Sequence, residues 1–110
     1  MQHRLHDEIS LEIARRVAKR LRAAPELLSV SRENLARWSK LNAETPSLLR
    51  SYAEWRAILD RPLEDICAVL CAETDEGQRL RQNSPFAGIL SASEVWEIKS
   101  GVRRHATAAT

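Results

Sequence analysis

Catalysis on a protein starts from nucleophiles, bases and metal ligands, and this 110-residue chain holds few of them. Its histidines are His3, His6 and His105, all near one end or the other. A serine or cysteine nucleophile needs a base within hydrogen-bond reach, and chain ends are a poor place to hold one rigid. Cys67 and Cys71 are the only cysteines. Four apart, they lack the second pair or the histidines of a structural zinc site. They read as two reduced, largely buried thiols, because a disulfide scaffold normally closes longer loops. His3-x-x-His6 has helical ligand spacing but lies where a helix frays. Glu54, Asp60, Glu64, Asp65, Glu73, Asp75 and Glu76 offer carboxylates, yet acid–base work needs two in one pocket with separated pKa values, and solvated helix faces account for such charges. Gly77, Gly88 and Gly101 are isolated, so no loop cradles a phosphate. The expectation is a chain with no catalytic residue, no metal and no cofactor, which is not an enzyme.

What remains is binding chemistry. Arg15, Arg16, Lys19, Arg20 and Arg22 place five cations within eight residues with no acid among them. Such a patch can contact several phosphates, with an affinity that falls steeply with salt; the plainer reading is a solvated face whose long stems cover the core edge. The run from Arg79 to Leu90 is the most unusual stretch. Arg79, Arg81 and Gln82 present polar groups on a thin helix, and Pro85, Phe86, Ile89 and Leu90 follow on a segment without helical periodicity. These apolar residues either fold back over their own core or fill a groove on another protein, where each contributes about 1.5–3 kcal/mol when buried. Trp38, Trp55 and Trp96 fall on three different helices. Core packing suits most of them, and Trp96 is the best candidate for an interface anchor.

The elements that must position these groups are helices. From Leu5 the apolar residues fall at Leu5, Ile9, Ile13, Val17 and Leu21, a spacing of four that keeps them on one broad stripe. This predicts a basic amphipathic helix over 5–24. Pro25 suits the first turn of a second helix running to about Asn42. Thr45-Pro46 repeats the start signal, with a capping hydroxyl before the proline, and Leu48, Tyr52, Trp55 and Leu59 form its apolar face. Arg61-Pro62 opens a fourth helix with Glu64 and Asp65 at the positive end of its dipole, and Thr74 marks a fifth. The residue before Pro85 avoids the helical region, so residues 84–90 read as a linker. Ser91 and Glu94 form a capping box, with Leu90 and Val95 as its hydrophobic staple. That predicts a last helix over 92–100, stopped by Gly101 and followed by a flexible tail over 103–110. No stretch alternates as a strand would. The fold class is all-α: five to six helices joined by short links, with a non-helical apolar linker before the last helix, forming one domain over 1–102.

Composition agrees. Hydrophobic residues are 44% and charged residues 29% of the chain, which excludes a disordered polymer. The net charge of +2 is uneven. Residues 1–40 carry nine Lys or Arg against five Asp or Glu, residues 41–80 four against eight, and residues 81–110 four against two. Different neighbours for the two halves are implied. No apolar run approaches the roughly 20 residues of a membrane span, and the N-terminus lacks the apolar centre of a secretion signal. The expectation is a cytoplasmic protein with no membrane contact. A helix-turn-helix over Leu63–Gln82 is disfavoured, because Asp75 and Glu76 would repel phosphates at the start of the reading helix.

Asn34-Leu35-Ala36-Arg37-Trp38, Glu54-Trp55-Arg56 with Ile58-Leu59, and Arg79-Leu80-Arg81-Gln82 running into Ser84-Pro85-Phe86-Ala87-Gly88-Ile89-Leu90 and Glu94 together resemble a group of short, helical bacterial antitoxin-like proteins of toxin–antitoxin operons. These often accompany a nucleotidyltransferase-like toxin. The likeness covers most of residues 5–98. It implies a non-enzymatic antitoxin that binds and neutralises a cognate toxin by protein–protein contact, and it identifies no contact residues. The residues themselves nominate Arg79, Arg81, Gln82, Pro85, Phe86, Ile89, Leu90 and Trp96 as the partner-binding set. The alternative is a DNA-binding transcriptional regulator that reaches operator DNA through Arg15, Arg16, Lys19 and Arg20. A self-assembling homo-oligomeric module is a third option.

Overall fold

A computed structural model describes residues 2–108, and the side chains of 4–107. The chain is all-helical, with no strand among the described residues. Its six α-helices are α1 (Gln2–Ala23), α2 (Leu28–Leu41), α3 (Pro46–Leu59), α4 (Leu63–Leu70), α5 (Asp75–Arg81) and α6 (Ala92–Ala108), with a 3₁₀ turn at Pro25–Leu27 between the first two. The predicted second helix thus opens with a tighter turn before it becomes α-helical.

The long α1 is the spine, packed against α4, α5 and α6. Its stripe buries Ile9, Val17 and Leu21, as the spacing of four requires. Ala14 and Ala18 lie on the same buried side. Being small, they let other elements approach: the Cys67 thiol of α4 reaches the Ala18 carbonyl at 3.9 Å. α2 and α3 form a hairpin whose ends are tied by side chains. The Arg32 guanidinium donates to the Leu59 carbonyl at 2.8 Å, Arg56 donates to Ser39 Oγ at 2.8 Å, and Trp38 lies 6.0 Å from Tyr52 between ring centres. Trp55, fully buried at the centre, donates its indole N–H to the Leu80 carbonyl at 3.0 Å.

Local start signals act as their chemistry predicts, with one exception. Pro46 opens α3, but the Thr45 hydroxyl makes no cap hydrogen bond; the Thr45 carbonyl accepts from the amides of Leu48 and Leu49 instead. Thr74 Oγ1 accepts from the Gly77 amide at 3.0 Å and caps α5. Gly77 itself is required by proximity, since a Cβ there would stand 2.3 Å from the Ala72 carbonyl oxygen. The capping box of α6 is complete: Ser91 Oγ accepts from the Glu94 amide at 3.1 Å, and Glu94 accepts from the Ser91 amide at 3.0 Å.

The expected end of that helix is wrong. α6 does not stop by Gly101 but continues to Ala108, so the tail assigned to 103–110 is helical over 103–108, and residues 109–110 lie outside the described part. Gly within a helix costs about 1 kcal/mol relative to Ala. Here α6 runs antiparallel to α1, with Glu94 beside Arg20 and His105 near Glu8, and continued packing of Ile98 and Val102 offsets that cost.

Candidate binding surface

The linker over 84–90 is non-helical as expected, but its apolar groups face inward. Phe86, Ile89 and Leu90 are buried in the core, and Pro85 is among the most completely buried side chains. They do not project to fill a partner's groove, and that expectation is corrected. The physical reason is a clamp from two distant helices. Asn34 of α2, itself buried, donates from its amide nitrogen to the Pro85 carbonyl at 3.0 Å and to the Ala87 carbonyl at 2.9 Å. Trp55 of α3 meets Phe86 edge to face at 5.4 Å, a favoured aromatic geometry. Gly88 turns the linker at φ +90°, a backbone conformation that other residues rarely adopt. In the sequence Asn34 was visible only as part of the motif, and Trp55 as part of it and of the apolar face of the third helix. Nothing local to either predicts a contact some fifty or thirty residues away.

Arg81 is also corrected as a surface group. It is only 9% exposed, and its Nη1 donates to the carbonyls of Leu70 at 3.1 Å and Ala72 at 2.7 Å. It closes the C-terminal end of α4, where the helix dipole favours a cation. Arg79 stays on the surface, but its charge is committed within the chain. It grips the Glu54 carboxylate with both terminal nitrogens, at 3.2 and 2.7 Å, and also pairs with Glu76. These hydrogen bonds hold Glu54 and Glu76 below the usual carboxylate range and push Arg79 upward. Gln82 is exposed.

Trp96 is the large apolar member of the predicted set that stands open, at 67% exposed. α6 packs through half-buried Val95, Ile98 and Val102, which leaves Trp96, Lys99 and Arg103 together on its outer face at helical spacing. The N-terminal end of α6 is fixed by Glu94, which both caps the helix and pairs with Arg20. Its carboxyl lies below the ordinary range, first because of the Ser91 backbone and then because of the Arg20 guanidinium.

The basic face of α1 is partly neutralised by carboxylates from elsewhere in the fold. Arg15 pairs with Glu12 and Glu73, Arg20 with Glu94, and Arg22 with Glu64. Arg16 and Lys19 remain exposed with no ion pair among the described residues. The two thiols are free, and burial pushes both upward, which favours the thiol over the thiolate. No cluster of three or more His, Cys, Asp or Glu gathers among the described residues; the His3 side chain of the proposed histidine pair lies outside them. No described helix is long and apolar enough to cross a membrane.

One cavity of about 380 Å³ opens where α1, the linker and the start of α6 meet. Ile9, Ile13 and Val17 form one wall, Phe86, Leu90 and Val95 the other, and Arg81 lines it as its cation.

No family model, no curated protein and no solved structure matches this chain.

Proposed function

We propose that this chain is a non-enzymatic, antitoxin-like protein that neutralises a cognate toxin by stoichiometric contact, with the outer face of α6 as the contact surface. The observation that carries this reading is Trp96. A side chain of that size left two-thirds exposed is a candidate hot spot, because truncating such anchors commonly removes 2 kcal/mol or more of binding. Lys99 and Arg103 flank it on the same face, so the matching partner surface is an apolar pocket with an acidic rim. The resemblance of the Arg79–Leu90 run to operon-borne antitoxins supports the same reading. Operator binding through α1 weighs less, since Arg15 and Arg20 already face carboxylates of their own chain.

The test is co-expression with the product of the neighbouring gene, followed by co-purification and titration. A complex is expected, weakened about tenfold or more by Trp96→Ala, the scale of a hot-spot loss. No complex, or one indifferent to both Trp96→Ala and Lys99→Glu, overturns the proposal.

A further inference from the structure

The cavity between α1, the linker and α6 pairs a largely apolar lining with a buried cation. Its walls are aliphatic and aromatic, from Ile9, Ile13, Val17, Phe86, Leu90 and Val95. Its one strong charge, Arg81, is nine-tenths buried and incompletely satisfied. Both of its hydrogen bonds leave from Nη1. Nε is buried with no partner, and among the described residues Nη2 has no protein acceptor and no carboxylate pairs with the guanidinium. A guanidinium carries five donors in a planar fork that matches a carboxylate, and a buried donor without a partner costs about 1–3 kcal/mol. The two carbonyls at the end of α4 hold the group in place through Nη1, and Nε and Nη2 are left without an acceptor from the described residues.

We infer that this cavity is a binding site for a small amphiphilic monocarboxylic acid, with the carboxylate on Arg81 and the hydrocarbon body between α1 and the linker. The charge complementarity selects an anion rather than a neutral lipid. The volume bounds the size: 380 Å³ is about a dozen times the roughly 30 Å³ share of one water in the liquid, room for a medium-chain acid and not for a long-chain lipid. That volume lies within the usual range of small-ligand pockets, about 300–1,000 Å³. The apolar walls match such a body, and His6, Ser10 and Ser84 are the other polar side chains of the lining. The site is separate from the outer face of α6 and does not depend on a toxin partner.

The experiment titrates the full chain with decanoate, decanol and butyrate by isothermal calorimetry at neutral pH, below the micellar range. Decanoate is expected to bind with unit stoichiometry and at least about tenfold more tightly than either control, because decanol lacks the charge-assisted hydrogen bond and butyrate lacks the body. Arg81→Lys keeps the charge but loses the planar fork, and is expected to weaken decanoate about tenfold. Ala87→Trp adds bulk at an exposed residue of the lining, so it is expected to narrow the cavity and weaken decanoate about tenfold, and it decides the matter if Arg81→Lys does not fold. Arg50→Gln, on the exposed side of α3, is expected to bind as the parent does. The inference is overturned by an absence of decanoate binding, by decanol binding as tightly, or by full affinity in Ala87→Trp.

Discussion

The linker and the outer face of α6 each carry large apolar residues with cations nearby, yet the fold treats them oppositely. Phe86, Ile89 and Leu90 are drawn into the core, while Trp96 is left in water. The difference is not hydrophobicity. It lies in what surrounds each segment. A non-helical linker exposes backbone carbonyls, and Asn34 answers those of Pro85 and Ala87, pulling the whole segment down with its side chains. α6 satisfies its own backbone, so it needs to bury only one face, and Val95, Ile98 and Val102 suffice. An apolar residue on the opposite face of such a helix is not demanded by the fold, which makes it a candidate for function.

The sharpest way to break this comparison is to truncate one aromatic from each region. Phe86→Ala removes a buried ring and its contact with Trp55, and is expected to cost about 3–5 kcal/mol of stability. In a domain of this size that is a large part of the total. Trp96→Ala is expected to shift stability by no more than about 0.5 kcal/mol. Urea denaturation followed by circular dichroism measures both. A Trp96→Ala variant as damaged as Phe86→Ala would mean that Trp96 packs in the core and is no anchor.

A smaller effect isolates the clamp. Asn34→Ala leaves the Pro85 and Ala87 carbonyls without their donor and is expected to cost about 1–3 kcal/mol. Hydrogen exchange should then show the loss concentrated in the linker, with early opening of residues 84–90 ahead of α2 and α3. Uniform destabilisation across the helices would place Asn34 in general packing and leave the linker's burial to Phe86 alone.

How far the fold is legible in the sequence follows from the range of each interaction. Helix starts depend on one to four residues, so Pro46, Thr74 and the Ser91–Glu94 box could be read directly. The stripe of α1 is equally local. The direction taken by the linker is not, because Asn34 lies 51 residues from Pro85 and only the tertiary fold brings them together. The same applies to the cations of α1. Arg20 meets Glu94 across 74 residues, and no periodicity reveals that a basic stripe will find its counter-charges on other helices. For the proposed partner surface, Trp96 was readable as a lone large aromatic near the last helix start. Arg81 was read as a surface cation for a partner, and nothing local to it shows that it is buried against the end of α4.

Gly101 gives the finest test of the same contrast between local signal and tertiary packing. Its local chemistry calls for a helix end, yet α6 passes through it because the residues on either side pack on α1. A Cβ at this position would meet nothing within 4 Å, so alanine adds no clash and removes the entropy that glycine loses on folding. Gly101→Ala is therefore expected to stabilise by about 0.5–1 kcal/mol, which raises the melting temperature by a few degrees in a domain near 100 residues. Thermal circular dichroism should show that rise with little change in helical signal at low temperature. A fall in stability, or a gain in helix content, would mean that α6 ends at Gly101 in solution, with residues 103–108 frayed and Arg103 lost from the face that carries Trp96.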